Sequence, residues 1–378
     1  MKVMFSAGEA SGDLHAAAVA RELVKADPGV TLFGMGGHAM EQAGVRLIRN
    51  IDDLGVIGIA EVIRRLPFFF RLRSELVAAV RRERPDVLVC VDYPGFNMRL
   101  AHTVHEMGVP VVYYIAPTIW AWHAGRGHAV ARDTDAVACI FPFEEAAYRK
   151  MGAAATFVGH PLLDTVHPTR SAAATIRDFG VRLSAWRVLL LPGSRGQEIE
   201  RLLPLMLDAV RILGRKHDVQ CFLPRATTIA RERLEAMIAA SGVEVTVTEG
   251  AVYDLMQVVD AALAASGTVT LEAALMQLPT VLVYRVSPLT YWLGRRVLTT
   301  PYIGLPNIVA GHAVIPELLQ DEVTPVRMAE ELERIIPAGE PRQTMVAALG
   351  EVRTRLGTPG AVGRVAQLIR ETAERTER

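Results

Sequence analysis

The first candidate for chemistry is an aspartate, Asp92, at the end of an apolar run. The run VLVCV precedes it and the turn-forming sequence YPGFN follows it. Ligands of open parallel sheets bind beyond the carboxyl ends of the strands, so a carboxylate at that edge can accept the proton of a substrate hydroxyl as a general base. Capping of the next helix or support of the turn is at least as consistent with this spacing. We interpret Asp92 as the acid/base candidate.

A second candidate is the loop GEASGD, which follows the first apolar run of the chain and opens a helix. Gly8 and Gly12 let backbone N–H groups approach a ligand, and Ser11 or Asp13 can cap the helix, whose N-terminus favours an anion. The glycine spacing differs from the dinucleotide-binding GxGxxG pattern. A well-capped turn explains the loop equally well. On the binding interpretation, Gly8, Glu9, Ser11 and Gly12 contact substrate.

The second half of the chain carries a comparable loop in LLLPGSRGQEI. Gly193 and Gly196 allow close approach of the backbone, Ser194 can donate a hydrogen bond, and Arg195 presents a planar fork suited to phosphate oxygens. These residues form a candidate diphosphate site. The segment lacks the Lys-Ser/Thr ending of a Walker P-loop, which argues against ATP hydrolysis.

A third loop of this kind starts the helix in ASGTVTLEAAL. Ser266, Gly267 and Thr268 lie at its beginning, and Glu272 is four residues after Thr268 on the same face. A carboxylate there could accept hydrogen bonds from both ribose hydroxyls of a nucleotide. The alternative is that Glu272 only benefits from its place in the first turns of a helix.

One segment of the first half combines aromatic and basic residues. Phe68, Phe69 and Phe70 follow apolar residues at helical spacing, and arginines are interleaved with them, Arg71 and Arg73 among them. Such aromatic residues flanked by arginines are typical of contact with an anionic membrane surface, which we predict for these five residues. A buried helix pair with a basic solvent face explains much of the pattern too. Three consecutive phenylalanines cannot face one side of a helix, so one is expected to be exposed.

Two further patterns favour less specific interpretations. Trp120 and Trp122, beside His123 and Arg126, could form an apolar wall for a sugar or an acyl chain, although such tryptophans are more often core residues. The sequence DTD at 133–135 resembles a metal-binding carboxylate pair, but it precedes its strand instead of ending it. We therefore predict no metal site.

The elements that hold these loops are short apolar runs alternating with helical patterns, in two series, which is typical of parallel α/β units. A segment rich in prolines and small polar residues separates the series near 160–185. We predict an α/β fold with two parallel-sheet domains, 1–165 and 166–345, and a helical tail, 350–378, that could pack back on the first domain. The predicted strands are 2–7, 31–34, 87–92, 111–116 and 136–141, then 187–191, 219–223, 243–247, 260–264 and 280–284.

Composition excludes several classes of protein. The 378 residues include 41 Lys plus Arg and 41 Asp plus Glu, so no global field gathers phosphate backbones and we predict no nucleic-acid partner. Cys90, Cys139 and Cys221 are far apart, and two of them lie in apolar runs, so we predict reduced thiols in a cytoplasmic protein. No segment is predicted to be a signal peptide or a membrane-spanning helix.

The order of these motifs along the chain resembles that of the lipid-A-disaccharide synthases from end to end. The resemblance is carried by GEASGD, VDYPGFN, APTIWAW, FPFE, GHP, LLPGSRGQEI, ASGTVTLEAAL and LPNIVAG. It implies the GT-B architecture, two Rossmann-like domains facing across a cleft, with nucleotide held mainly by the second domain. It also implies that no cofactor is needed, because the UDP-sugar is a substrate.

The resemblance assigns roles to individual residues. The essential aspartate, arginine and asparagine of the family fall on Asp92, Arg195 and Asn307, and its ASGT-helix glutamate falls on Glu272. Asn97 in the VDYPGFN motif is expected to contact substrate. Many members have a second aspartate where this chain has Gly95, so Asp92 is expected to act without it.

The resemblance also implies an activity: inverting transfer of 2,3-diacylglucosamine from UDP to 2,3-diacylglucosamine 1-phosphate (lipid X), giving a β-1,6 disaccharide and UDP. Such an enzyme is expected to bind the cytoplasmic face of the inner membrane peripherally, and a homodimer is left open. One alternative is another UDP-sugar enzyme of the same architecture, a MurG-like transferase or an epimerase. The other is a nucleotide-sugar-binding protein without turnover.

Overall fold

The chain folds into two compact units, seen here in a computed structural model. The described residues are 1–51, 66–119, 125–287, 291–292 and 300–375. The first unit comprises Met1–Pro161 with Gly357–Arg378, and the second comprises Leu162–Leu356. Each unit is built on a parallel sheet with helices between successive strands, so the predicted fold class is confirmed.

The sheet of the first unit is parallel throughout its described strands. These strands are β1 (Lys2–Ala7), β2 (Thr31–Gly36), β3 (Arg46–Asn50), β4 (Val87–Val91), β5 (Val111–Tyr114), β6 (Ala136–Cys139) and β7 (Ala155–Phe157). Their spatial order is β3-β2-β1-β4-β5-β6-β7. The central strands β1 and β4 are apolar on both faces because helices cover both sides of the sheet.

The helices of the first unit include one from the end of the chain. In the described residues they are α1 (Ala10–Ala26), α2 (His38–Gln42), α3 (Leu66–Glu83), α4 (Pro94–His105), α5 (Gly125–Asp133), α6 (Pro142–Lys150) and α16 (Ala361–Arg375). Helix α16 packs on α1 and on strands β4, β5 and β6. The Arg364 guanidinium donates a 2.7 Å hydrogen bond to the carbonyl of Val158, which fixes this helix to the end of β7.

The second unit repeats the same topology. Its strands are β8 (Trp186–Leu191), β9 (Val219–Arg225), β10 (Val245–Glu249), β11 (Ala261–Ala265), β12 (Thr280–Tyr284) and β13 (Glu317–Leu319). Their order is β10-β9-β8-β11-β12-β13. Its described helices are α7 (Leu162–Thr165), α8 (Ala172–Asp178), α9 (Gly196–Leu213), α10 (Arg231–Ser241), α11 (Val252–Met256), α12 (Thr268–Leu275), α13 (Leu305–Ala310), α14 (Pro325–Ile335) and α15 (Glu340–Arg355).

The boundaries of the units differ from the predicted 165/166 and 345. The second unit begins at Leu162, and the buried Asp254 carboxylate secures its first segment by accepting the backbone N–H groups of Thr169 and Arg170 at 2.6 and 2.9 Å. It ends at Leu356, because helix α15 packs against α12 and α13. Residues 350–356 of the predicted tail therefore belong to the second unit.

Both sheets have a topological switch point, where the chain leaves neighbouring strands in opposite directions. It lies between β1 and β4 in the first sheet and between β8 and β11 in the second. Loops that follow such a strand pair flank a crevice at the carboxyl edge of the sheet, the usual place for a ligand. The four loops there are the ones that start at Gly8, Asp92, Pro192 and Ser266.

The cysteines and the apolar helices were also the subject of predictions. All three cysteines are buried and free, as expected of small apolar side chains. No helix within the described ranges is long and apolar enough to cross a membrane.

Candidate active site

The turn that carries Asp92 has a strained backbone. Asp92 and Tyr93 have φ angles of 49° and 51°, in the left-handed region that non-glycine residues rarely adopt. Each such residue costs about 1–3 kcal/mol and persists only where surrounding contacts determine it. The turn separates β4 from α4 and brings the Asp92 side chain to the carboxyl edge of the sheet.

The contacts that determine this turn come from one buried amide. Asn97 is fully buried, and its side-chain nitrogen donates to the carbonyls of Ser6, Val91 and Asp92 at 3.0, 3.2 and 2.8 Å. Its side-chain oxygen accepts the Ser6 hydroxyl at 2.7 Å, and the Tyr113 hydroxyl donates to the Asp92 carbonyl at 3.1 Å. The amide of Asn97 therefore binds mainly the backbone and positions Asp92, and the substrate contact predicted for Asn97 stays a prediction.

The Asp92 carboxyl is half-buried, and its environment favours a basic group. Burial raises its pKa, and a hydrogen bond from the backbone N–H of Tyr93 offsets part of this effect. A carboxylate whose pKa is raised is a better proton acceptor once it is ionised. The geometry and the electrostatics both suit a general base.

The loop after β1 packs against the same turn. A Cβ atom added at Gly8 would collide with the Tyr93 ring, so this glycine makes room for a side chain of the protein itself. Glu9 lies near enough that its charge, after burial, helps to raise the pKa of the Tyr93 hydroxyl. A Cβ at Gly12 would meet its nearest neighbours, Ala7 Cβ and the Val91 carbonyl, at an ordinary 3.5 Å.

Helix α1 is not capped by either of the predicted residues. Its N-cap is Glu9, without a side-chain cap bond, and Ser11 is exposed within the first turn. The buried Asp13 carboxylate instead caps helix α2, accepting the N–H groups of Gly37, Ala39 and Met40 at 2.7, 3.0 and 3.1 Å. Asp13 thus joins α1 to the loop after β2.

Two histidines near this edge had no role in the sequence analysis. The ring of His15 packs edge-on against Tyr114, the last residue of β5, and His160 lies 5.0 Å from the ring of Phe141. Burial, with a contribution from His15, lowers the pKa of His160 to about 3, and burial lowers that of His15. Both imidazoles are therefore neutral near pH 7. The GHP motif was the sequence signal for His160, but a motif does not reveal burial.

In the second unit, the loop after β8 holds an internal anion. The backbone N–H groups of Ser194 and Arg195 donate to Glu198 Oε2 at 3.3 and 3.4 Å, and Arg195 Nη1 lies 3.3 Å from Oε1. Gly193 has a φ of 109°, and a Cβ there would collide with the Glu198 carboxylate. The Arg195 side chain is 84% exposed, so its guanidinium is available to a ligand. The loop has the donors that an anion requires.

The neighbouring loop after β11 contains the predicted Ser266, Gly267 and Thr268. Gly267 has φ 157° and ψ −170°, a conformation essentially restricted to glycine, and the space beside it is open. Glu272 on α12 is half-buried; burial raises its pKa, and a hydrogen bond from the Tyr253 hydroxyl acts in the opposite direction. Sequence reasoning missed Tyr253, which comes from α11.

Asn307 is a second asparagine whose amide is hydrogen-bonded within the protein. It is buried in α13, its oxygen accepts the N–H groups of Val314 and Ile315 at 2.7 and 2.9 Å, and its nitrogen donates to the Ile315 carbonyl and Glu317 Oε1 at 2.9 and 2.7 Å. Every hydrogen-bonding position of the amide is used. Asn307 therefore holds the chain segment before β13, and the catalytic role predicted for it stays a prediction.

The aromatic segment is split between core and surface. Phe68 and Phe69 are partly buried and pack against the hydrophobic core, whereas Phe70 is 53% exposed. The Arg73 guanidinium lies 5.7 Å from the centre of the Phe70 ring, and Arg71 is exposed beside it. The apolar and arginine residues of this segment before 66 lie outside the described residues, as do Trp120, Trp122 and His123.

The carboxylates of the DTD sequence have structural partners. Asp133 is buried against Arg132 and His102, and Asp135 accepts the backbone N–H of Val111 at 2.8 Å. Among the residues with described positions, no group of three His, Cys, Asp or Glu side chains is arranged to hold a metal ion.

Comparison with known proteins identifies relatives along the whole chain. A family model described as lipid-A-disaccharide synthetase matches residues 3–356. The lipid-A-disaccharide synthase of Geobacter sulfurreducens is 42% identical over 371 residues, which cover 98% of this chain and 97% of that protein. The match includes every loop described above.

Solved structures with a similar fold are more distant in sequence. A putative UDP-N-acetylglucosamine 2-epimerase from Listeria monocytogenes has a TM-score of 0.68 at 15% identity, covering 99% of this chain and 97% of that chain. MurG of Acinetobacter baumannii has a TM-score of 0.63 at 14% identity, covering 98% and 99%. At these identities the likeness concerns the fold alone, which is of the GT-B type.

The packing of Tyr93 against Gly8 gives a testable contrast with Gly12. Gly8→Ala is expected to displace the Tyr93 ring and lower the free energy of unfolding by about 1–3 kcal/mol. Gly12→Ala lies within helix α1 and meets no collision, so its stability is expected to stay equal or rise by up to about 1 kcal/mol. Urea unfolding of both variants measures the difference. Equal stabilities for the two variants would contradict the role given to Gly8.

Proposed function

Because the chain belongs to the lipid-A-disaccharide synthetase family, we propose that it transfers 2,3-diacylglucosamine from UDP to 2,3-diacylglucosamine 1-phosphate with inversion. The chain is a glycosyltransferase of lipid A biosynthesis. The observation that carries the proposed chemistry is the Asp92 carboxyl, held on a strained turn at the switch point of the first sheet with a raised pKa.

In the proposed reaction Asp92 accepts the proton of the acceptor 6-hydroxyl. The hydroxyl oxygen then attacks the anomeric carbon of the donor, the bond to the UDP oxygen breaks, and one displacement inverts the configuration. Asn97 acts indirectly, because its hydrogen bonds fix the backbone from which the Asp92 side chain projects.

The leaving UDP is proposed to bind the loops after β8 and β11. The N–H groups of Ser194 and Arg195 already bind a carboxylate, that of Glu198, and a phosphate oxygen presents the same negative charge to them. The Arg195 guanidinium and the N-terminus of α12 at Ser266 add positive potential where charge develops. Glu272 is proposed to accept the ribose hydroxyls, and Tyr253 orients its carboxylate.

The rival activities have less support. The two alternative activities, those of a MurG-like transferase and of an epimerase, are supported only by fold neighbours at 14 and 15% identity. The proposed activity is supported by a relative with 42% identity over nearly the whole chain. A binding protein without turnover has no need of a base with a raised pKa at the switch point. Mass spectrometry of the products formed from the two diacylglucosamine substrates separates all three, since only the proposed activity gives the tetraacyl disaccharide phosphate and UDP.

The acylated substrates suggest that the protein works at an anionic membrane surface. Phe70 is the exposed aromatic residue of the segment that the sequence assigned to the membrane, and Arg71 and Arg73 lie beside it. An exposed aromatic ring that enters the acyl boundary adds to the attraction between arginines and anionic lipid. We place the peripheral contact at this end of α3.

Asp92→Asn keeps the size of the side chain and removes the base. Turnover is expected to fall by about 10²–10⁴-fold, because general base catalysis typically contributes this much. In the parent enzyme the rate should rise with pH through the raised pKa of Asp92, so the acidic limb of the pH–rate profile lies above that of an exposed aspartate. That limb should be absent from the variant.

Asp86→Asn is the matched control, since Asp86 lies just before the amino end of β4 and accepts the backbone N–H of Lys2. Its turnover should stay near that of the parent. Near-normal turnover in folded Asp92→Asn would exclude Asp92 as the base.

The reaction is expected to proceed without a metal ion. Arg195 and the helix N-termini supply the positive potential that a divalent ion provides in other transferases. Excess EDTA should therefore leave UDP release largely unchanged. Loss of activity on chelation that Mg²⁺ or Mn²⁺ restores would contradict this expectation.

Phe70→Ser tests the membrane contact without touching the core. Sedimentation with anionic vesicles is expected to weaken by about tenfold, because the transfer of a largely exposed phenylalanine into the acyl boundary is lost. Leu183→Ser removes an apolar side chain of at least the same exposure from the second unit and should leave sedimentation unchanged. Normal vesicle binding by folded Phe70→Ser would place the contact elsewhere.

A further inference from the structure

A second arginine lies at the proposed diphosphate loop. The segment between β9 and α10 is joined to this loop by a 2.7 Å hydrogen bond from the Thr228 hydroxyl to the Ser194 carbonyl. From the following helix, α10, Arg233 extends to the first residue of α9. A Cβ added at Gly196 would lie 3.2 Å from Arg233 Nη1, 3.9 Å from Cζ and 4.0 Å from Nη2.

These distances explain the glycine at position 196. The φ of Gly196 is not positive, so its backbone does not require glycine. The three nearest atoms that an added Cβ would meet all belong to the guanidinium of Arg233, which lies beside the first residue of α9. Gly196 therefore makes room for a cation.

The Arg233 guanidinium lies near a helix N-terminus, where a cation requires a compensating anion. The N-terminus of a helix carries partial positive charge, so arginine there is disfavoured unless an anion compensates. Arg195 at the N-cap of α9 already brings one guanidinium, and Arg233 brings another. In the structure Arg195 pairs with Glu198 and Arg233 pairs with Glu200, both on the first turns of α9.

We propose that Arg233 binds the diphosphate of the UDP donor together with Arg195, and that Glu200 holds Arg233 in place until the nucleotide arrives. The proposal rests on the proposed function, since it deepens the site assigned there to the leaving group. A diphosphate carries more than one negative charge, and the exit of UDP adds another, so one arginine leaves part of this charge uncompensated. Two guanidiniums and the helix N-terminus match it more closely.

Exchange of the partner of Arg233 is energetically easy. The side chains of Arg233 and Glu200 are both about half exposed, and exposed ion pairs contribute little net stability. A phosphate that offers two oxygens to one guanidinium binds it more strongly than a solvated carboxylate does. Glu200 then competes with the ligand, which makes the effects of the two residues opposite in sign.

The test measures inhibition by UDP, and the Michaelis constant of the donor, in three variants. Arg233→Gln should weaken UDP binding by about tenfold, as expected for loss of one charge-assisted contact. Glu200→Gln should tighten it by a few-fold. Arg231→Gln, two residues earlier on α10 and paired with Glu235, should match the parent. A merely structural pair predicts that Arg233→Gln and Glu200→Gln change UDP affinity equally or not at all, and that result would overturn the proposal.

Gly196→Ala provides an independent check, because the added Cβ displaces the guanidinium while the charge remains. It should reproduce part of the loss seen in Arg233→Gln and add little to it in the double variant. Fully additive losses would overturn the proposal.

Arg195→Lys distinguishes a failure of the inference on Arg233 from a failure of the proposed nucleotide site. If Arg195→Lys weakens UDP binding and Arg233→Gln does not, the inference fails and the proposed site stands. If neither variant changes UDP affinity, the loop after β8 is not the nucleotide site and the inference fails with it.

Discussion

The position of the proposed base depends on the buried side-chain amide of Asn97. Its nitrogen donates to three carbonyls, two on the ends of β1 and β4 and one on Asp92 itself. Two consecutive left-handed residues cost about 1–3 kcal/mol each, whereas each buried hydrogen bond contributes about 1 kcal/mol and would cost more if left unmade. The free energy contributed by the Asn97 hydrogen bonds is therefore of similar size to the cost of the strained backbone. The turn can adopt its unusual backbone because the amide makes relaxed alternatives lose several hydrogen bonds at once.

The second unit uses the same physical device in a different place. Asn307 and Glu317 satisfy backbone groups before β13, and Glu198 satisfies those of the loop after β8. These side chains differ in charge and in burial. Asn97 and Asn307 are neutral and buried, so they are permanent parts of the fold. Glu198 is an anion on exposed donors at 3.3 Å or more, which an incoming phosphate can replace.

The sequence predicted strands correctly where burial on both faces requires a continuous run of apolar residues. Strands such as β1, β8 and β12 are buried on both faces, so their apolar runs predicted them within a residue. The strands that were not predicted, β3, β7 and β13, lie at the edges of their sheets, where RLIRN, ATF and ELL need not be apolar on both faces. The site shows the same limit. Asn97 and Asn307 have the residue type of a ligand contact, and only the fold reveals that their amides are buried and hydrogen-bonded within the protein.

Burial at the carboxyl edge of the first sheet shifts the pKa values of three groups so that their neutral forms are favoured. Burial disfavours the charged forms of three groups there: it raises the pKa of Asp92 and lowers those of His15 and His160. The influence that opposes burial at Asp92 is the hydrogen bond from the N–H of Tyr93, which belongs to the strained turn itself. The backbone that Asn97 holds in place therefore fixes where the base projects and also moderates how strong a base it is.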